Sequence, residues 1–202
     1  MKRISALACC ALILGISQLA SGKVEVIRAV VEFEMPQYFF QQVCKKPEWK
    51  GVVAKWGGVT DSRQTPFIGK QVKKGGQQIP VISQPQLDVV MNDALRDLFE
   101  ECGMAFVEKA TPGALGLSAE IRTFDVNVIK NTFSNEAASE SMIRFVAQKG
   151  TKSQTIDVGI ELESKGAGGG KLKALKKAAN KLLLETLKEV PKNDHMRELG
   201  SL

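Results

Sequence analysis

The sequence predicts an α+β fold, a two-layer sandwich in which a mainly antiparallel sheet is covered on one face by two helices. Three observations support this prediction: an amphipathic helical pattern over 84–103, alternating segments over 115–163, and a second amphipathic pattern over 171–190. A helix with a single apolar stripe must lay that stripe on another element. A sheet with one apolar face offers the matching surface.

The segment 84–103 is the helix around which the rest of the chain is organised. Pro85 stands near its start, where a missing amide proton costs nothing, and Gly103 stands where a helix commonly ends. Its apolar residues recur at intervals of three and four, which predicts one continuous stripe: Leu87, Val90, Met91, Ala94, Leu95, Leu98, Phe99 and Cys102.

The segments after this helix are typical of strands. Residues 154–163 alternate strictly between apolar and polar, which predicts a half-buried antiparallel strand. In 115–133 the apolar positions change parity between Ile121 and Phe124, which predicts a bulge or a bend. Upstream, 24–33 and 51–59 are also predicted strands.

Other segments are predicted to be connections. Residues 67–82 are rich in Gly, Lys and Gln and are predicted to be a surface loop that could hold a short hairpin. Residues 164–170 form a glycine-rich connector, and Pro191 ends the second helix. Residues 191–202 are polar and are predicted to form a flexible tail.

The first 22 residues have the features of a secretory signal peptide. Lys2 and Arg3 precede an apolar run, and small residues precede Lys23, so cleavage is predicted near Gly22. The predicted organisation is therefore a signal peptide over 1–22, an N-terminal strand and connection over 23–50, a domain over 51–190 and a tail over 191–202.

The predicted cleavage site lacks the residue that would carry a lipid. Leu19, Ala20 and Ser21 resemble the start of a bacterial lipobox, but Gly22 stands where the lipidated cysteine would be. Without a thiol no thioether can form. The sequence therefore predicts an exported, periplasmic protein with no lipid anchor.

Composition excludes few classes of function. Without Lys2 and Arg3, 26 of the 28 basic residues remain against 22 acidic ones, which is a mildly basic balance. Aromatic residues make up 6% of the chain and only one is Tyr, which argues against a base-stacking platform. We expect no nucleic-acid partner, and attraction to anionic envelope surfaces is compatible with the charge.

Cys44 and Cys102 are the only thiols outside the signal segment. In an oxidising compartment they could form a disulfide. The alternative is that Cys102 is a small buried hydrophobe on the helix stripe and that Cys44 is a free thiol. The sequence leaves both open.

The second helix carries the strongest cluster of charge in the chain, which includes Lys173, Lys177 and Lys181. These side chains could contact lipid headgroups, lipopolysaccharide phosphates or an acidic partner. The alternative is an ordinary solvated helix face.

No motif points to catalysis, a cofactor or a metal. The glycines at 166–170 do not fit a phosphate loop, because Lys165 and Leu172 occupy positions that the motif reserves for other residues. His195 is the only histidine and lies in the polar tail, so histidine-based triads and zinc sites have too few residues. We expect a protein that is not an enzyme and binds no cofactor.

Three blocks of sequence together resemble the YajG-type periplasmic lipoproteins, which are akin to the auxiliary lipoproteins of envelope ABC transporters. They are the strand ending in VTDSR at 59–63, the helix LDVVMNDALRDLFEECGM, and the run from LSAEIRTFDVNVIKN to KALKKAANKLLLETLKEV. The resemblance covers about residues 51–190. It implies an α/β sandwich in the bacterial envelope with no established catalysis.

The resemblance also draws attention to two residues. Asp61 and Arg63 match the family's V-x-D-x-R strand end and could contact a partner, although such a pair more often stabilises a local turn, with the Asp61 side chain capping backbone N–H groups. Gly22 departs from the family, whose members carry a lipidated cysteine. We expect an exported envelope accessory protein that acts by binding a transport or assembly complex. The alternative is a periplasmic carrier of a lipid or glycan.

Overall fold

The structure is a computed structural model that describes residues 27–28, 35–46, 48–72, 78–130, 134–167 and 171–202. Its strands are β1 Ile27–Arg28, β2 Val53–Asp61, β3 Phe67–Val72, β4 Gln78–Ile82, β5 Ala105–Phe106, β6 Leu115–Lys130, β7 Ser134–Lys149 and β8 Lys152–Ala167. Its α-helices are α1 Phe39–Val43, α2 Leu87–Glu101, α3 Lys171–Glu189 and α4 Asp194–Arg197. Short 3-10 turns, Val190–Lys192 and Glu198–Ser201, flank α4.

The eight strands form one mixed sheet. β6, β7 and β8 make a long antiparallel meander. The other edge of β6 is shared, because β2 runs parallel to its first half and β3 runs parallel to its second half. β4 pairs antiparallel with β3, while the short β1 and β5 run parallel to β4 and β2.

The predicted two-layer sandwich with a mainly antiparallel sheet is wrong, since the sheet is mixed and curled into a half-barrel. The alternating pattern of a strand shows which face is buried but not in which direction its neighbour runs. β2 becomes parallel to β6 because α2 carries the chain back between them. The short hairpin that the sequence allows within 67–82 is confirmed, since β3 and β4 pair antiparallel, but the prediction of a surface loop is wrong because both strands belong to this sheet.

The predicted parity change in β6 is confirmed. The register between β6 and β7 shifts between Ile121 and Thr123. Ile121 and Phe124 are both buried, and Arg122 between them is exposed. The extra residue therefore keeps apolar side chains on the inner face along both halves of the strand.

Both long helices lay their stripes on the inner face of the sheet. α2 contacts β2, and α3 contacts β6, β7 and β8. The buried residues of α2 agree with the predicted stripe: Leu87, Met91, Ala94, Leu95, Leu98 and Phe99. On α3 the buried apolar residues are Leu175, Ala178, Ala179, Leu182, Leu183 and Leu187. No α-helix in the described ranges has the length and apolarity needed to cross a membrane.

The C-terminal segment differs from the predicted flexible tail. It forms a 3-10 turn, α4 and a second turn, and it buries Met196 and Leu199 in the core. Two apolar residues among polar ones give too weak a pattern to predict this packing. Residues from the predicted N-terminal connection also join the core, since Phe39 and Trp49 are buried in it. The rest of the predicted strand over 24–33, apart from β1, lies outside the described residues.

Candidate binding surfaces

Arg63 and Asp61 form a two-pronged ion pair at the end of β2. The Arg63 Nε lies 2.8 Å from Asp61 Oδ1, and Nη2 lies 2.6 Å from Oδ2. The Arg63 side chain is only 7% exposed and that of Asp61 is 23% exposed. Burial raises the pKa of Asp61, but the hydrogen bonds and the charge of Arg63 outweigh it and hold that pKa below its usual range.

The remaining donors of Arg63 tie three strands together. Its Nη1 donates to the backbone carbonyl of Phe67 at 3.0 Å and to that of Phe124 at 3.1 Å. Arg63 thus connects the end of β2, the start of β3 and β6 beyond its bulge. Asp61 and Arg63 therefore stabilise the meeting point of these strands, and a contact with a partner stays a prediction.

A cleft of about 420 Å³ opens beside this ion pair, at the start of α2. Its lining comes from the end of β2, the loop before β3, the end of β4 and the first turn of α2: Asp61, Arg63, Pro66, Ile82, Ser83, Gln86, Leu87 and Asp88. We call it the α2 cleft. Sequence reasoning missed it because its walls come from residues 61–66 and 82–88, which the antiparallel pairing of β3 with β4 brings together, and the sequence did not predict that pairing as part of the sheet. The one available signal was Gln86 at a helix start, where Ser, Thr, Asp or Asn is usual.

Lys173, Lys177 and Lys181 lie one turn apart on the solvent face of α3, opposite the residues that pack on the sheet. We call these three residues the lysine stripe. In the part of the chain that the structure describes, none of them forms an ion pair, whereas Lys188 pairs with Glu185 at 2.7 Å. The structure therefore brings together the three lysines that the sequence singled out.

A second cleft, of about 540 Å³, lies between α1 and the end of α3. It combines apolar and cationic side chains: Phe39, Gln42, Val43, Lys45, Lys188 and Lys192. The Lys188 Nζ lies 6.0 Å from the centre of the Phe39 ring. We call it the α1–α3 cleft. Its composition suits a molecule with an apolar part and a negative charge.

Cys44 and Cys102 are joined by a disulfide with their Cα atoms 5.0 Å apart. The bond links the residues that end α1 and α2. Cys102 is also fully buried on the α2 stripe, so its packing would persist in the reduced protein. Oxidation of the pair in the cell stays a prediction.

The described residues contain no cluster of three or more His, Cys, Asp or Glu side chains arranged to hold a metal. His195 lies on α4, is largely exposed, and has its Nδ1 3.7 Å from Glu198. The candidate surfaces are therefore the α2 cleft, the lysine stripe and the α1–α3 cleft.

Comparison with known proteins identifies one family model that matches this chain. A family model described as "Uncharacterized lipoprotein" matches residues 58–199. A search of curated proteins finds no match.

Solved structures offer weaker similarity. The chain is similar to a Xanthomonas campestris protein of the family DUF330, with 13% identity and a TM-score of 0.43 over 76% of this chain and 88% of that one. It is similar to the hypothetical protein CT253 from Chlamydia trachomatis, with 13% identity and a TM-score of 0.37 over 70% and 96% of the two chains. Rare lipoprotein B from Shewanella oneidensis has 10% identity and a TM-score of 0.32, over 67% of this chain and 89% of its own. These values are too low to establish a shared fold.

Proposed function

Because the chain belongs to the family described as Uncharacterized lipoprotein, we propose that it is an accessory protein of the bacterial cell envelope that acts by binding. The family points to an envelope location. The YajG-type resemblance, which is finer than the family match, favours a transport or assembly complex as the partner. The proposal includes no catalytic step and no cofactor.

The lysine stripe is the observation that carries this proposal. Like charges four residues apart on a helix destabilise it by a few tenths of a kcal/mol per pair. Positive charge in the first turns of α3 also opposes the helix dipole. None of the three forms an ion pair with an acidic side chain among the described residues, and Glu185, four residues after Lys181, is paired with Lys188. An anionic region of an envelope complex would supply the missing charges and gain affinity from all three lysines together.

Crosslinking in intact cells followed by purification tests the proposal. We expect a defined envelope protein to be recovered with the natural sequence and lost when Lys173→Glu, Lys177→Glu and Lys181→Glu are combined. A matched control combines Lys55→Glu, Lys109→Glu and Lys152→Glu, which change the same charge at exposed positions elsewhere. Equal recovery of the same protein with both variants would exclude the lysine stripe as the contact.

The α1–α3 cleft favours a second candidate function, a periplasmic carrier. An anionic amphiphile could place its apolar part against Phe39 and Val43 and its charge beside Lys45 and Lys192. Native mass spectrometry of the purified protein would then show a constant added mass. That mass should disappear with Lys45→Glu plus Lys192→Glu and persist with Lys46→Glu plus Lys50→Glu. Protein that is free of any added mass would count against the carrier.

The export prediction is part of the proposal and has its own test. Gly22 supplies no thiol for lipid attachment, so we propose a mature chain that begins at Lys23 and carries no acyl group. Fractionation of cells and the intact mass of the product check this. A membrane-bound product with the mass of added acyl chains would show that the protein is anchored as a lipoprotein.

A further inference from the structure

The α2 cleft combines unused hydrogen-bond donors with carboxylate acceptors, and we propose that it binds a neutral, hydroxylated ligand, namely a glycan. This inference concerns a different surface from the lysine stripe. It does not depend on the partner proposed above.

Ser83 lines the α2 cleft and has an unused hydroxyl. The residue is 8% exposed, and its hydroxyl makes no hydrogen bond within the described part of the chain. Ser139 is equally buried, at 8% exposed, but its Oγ donates to the carbonyl of Leu162 at 3.3 Å. A buried hydroxyl that lacks a partner is unfavourable. Ser83 therefore presents to the cleft a hydrogen-bonding capacity that the fold leaves unused.

The start of α2 has no capping side chain among the described residues. The first amides of a helix have no partner within the helix, and a capping side chain normally accepts from them. Gln86 occupies the capping position of α2 and makes no side-chain hydrogen bond to it. Arg63 uses four of its five N–H groups on Asp61, Phe67 and Phe124, which leaves one Nη2 proton at the cleft wall. The lining of the cleft thus includes both the start of α2 and the guanidinium of Arg63, which can both donate hydrogen bonds.

The acceptors decide the class of ligand. The carboxylates of Asp61 and Asp88 line the same cleft as these donors. An inorganic anion would meet the donors but also be repelled by both carboxylates. A metal cation would meet the carboxylates but also the guanidinium of Arg63. A sugar hydroxyl both donates and accepts, so neighbouring hydroxyls can satisfy the two kinds of group at once.

The volume and the lining of the cleft are compatible with this ligand. Its volume of about 420 Å³ lies within the range of small-ligand sites. Pro66 and Ile82 provide apolar surface beside the polar groups, and a sugar ring has C–H faces that can lie against it. A mixture of a few convergent polar groups and apolar lining is typical of ligand sites.

Calorimetric titration of the natural protein with two neutral oligosaccharides, N-acetylglucosamine tetramer and maltotetraose, tests the proposal, with inorganic phosphate as the anionic probe. We expect at least one oligosaccharide to bind and phosphate not to bind. Ser83→Ala and Asp88→Asn should each weaken oligosaccharide binding by about fivefold or more, since the first removes a hydroxyl that bonds the ligand and the second replaces a charged acceptor with a weaker neutral one. The matched controls Ser139→Ala and Asp93→Asn should leave the affinity unchanged.

Thermal unfolding without ligand distinguishes a binding role of Ser83 from a role in the fold. Ser83→Ala should leave the Tm unchanged or raise it, because it removes a hydroxyl that makes no hydrogen bond to any described residue, whereas Ser139→Ala should lower it. Absence of binding by both oligosaccharides, binding of phosphate in their place, or natural affinity in Ser83→Ala and Asp88→Asn would overturn the proposal. The variant with Lys173→Glu, Lys177→Glu and Lys181→Glu should retain oligosaccharide binding. The glycan proposal and the envelope proposal can therefore be disproved independently of each other.

Discussion

The indole nitrogen of Trp49 donates a hydrogen bond of 2.7 Å to the backbone carbonyl of Met196, which lies 147 residues further along the chain. Both residues are fully buried. The Trp49 ring also packs edge-on against Phe99 of α2, with the ring centres 4.9 Å apart. One side chain thus joins the segment before β2, the central helix and the C-terminal helix.

Trp49→Phe should loosen the C-terminal segment. The change removes the hydrogen bond to Met196 and leaves a cavity, so we expect a loss of about 2–4 kcal/mol in the free energy of unfolding. Urea denaturation measures this loss, and limited proteolysis should show earlier cleavage within 190–202. The control is Trp56→Phe, because the indole nitrogen of Trp56 donates to Asn92 on α2 and not to the C-terminal segment. Equal cleavage of the C-terminal segment in both variants would contradict the assignment.

Arg63→Lys should destabilise the protein strongly although the charge is kept. A lysine cannot reproduce the planar fork that contacts Asp61 and two carbonyls, so buried acceptors would be left unpaired. We expect a loss of about 3 kcal/mol in the free energy of unfolding. Arg144→Lys is the matched control, because Arg144 makes the same two-pronged contact with Asp157 on the exposed face of the sheet. That control should cost much less stability than Arg63→Lys, because the Arg144 ion pair is exposed to solvent.

The same ion pair predicts how stability depends on pH. The folded-state pKa of Asp61 is lowered, so its contribution to stability is complete above its unfolded pKa and is lost as the pH falls through the folded value. Asp61→Asn should therefore lower the free energy of unfolding most at neutral pH. The difference in this free energy between the variant and the natural protein should become smaller in acid. Unfolding free energies measured between neutral pH and pH of about 3 check this. A difference that does not change with pH would show that Asp61 does not titrate with folding.

The helices and the bulge could be predicted from sequence because their signals are local. The three- and four-residue spacing from Leu87 to Phe99 needs only one helix and an apolar surface, and the structure buries those residues. The parity change between Ile121 and Phe124 likewise shows within a single strand. The sequence allows Cys44 and Cys102 to pair only because they are the two thiols outside the signal segment, and no local pattern places them together.

The direction of strand pairing and the α2 cleft could not be predicted because both depend on distant segments. Nothing local in 51–61 shows that β2 runs parallel to β6. The partners of Arg63 include Phe124, 61 positions away, and the burial of Met196 depends on Trp49. Ser83 is an ordinary loop residue in the sequence, and only the fold shows that it is buried and that its hydroxyl has no hydrogen-bond partner among the residues that the structure describes.

Asp97→Asn should stabilise the protein near neutral pH. Burial, followed by the negative charges of Glu100 and Asp93, raises the pKa of Asp97. The folded state therefore disfavours the charged form of Asp97. This lowers the free energy of unfolding above the raised pKa, and the loss disappears as the pH falls below the pKa of Asp97 in the unfolded chain. The Tm gain should vanish in acid, and part of it should also vanish in about 1 M salt, which screens the repulsion. A gain that is independent of both pH and salt would point to packing rather than charge.

The disulfide between Cys44 and Cys102 should contribute substantially to stability. The two residues are 58 positions apart, and closing a loop of that length in the unfolded chain is worth about 4 kcal/mol. Reductant should therefore lower the Tm of the disulfide-bonded protein by roughly 10 °C, and the double variant Cys44→Ala, Cys102→Ala should have a low Tm that reductant does not change. Non-reducing gels and thiol titration establish the oxidation state of the same sample. Two titratable thiols in the untreated protein, together with a Tm that reductant leaves unchanged, would show that Cys102 acts only as a buried hydrophobe and that Cys44 is free.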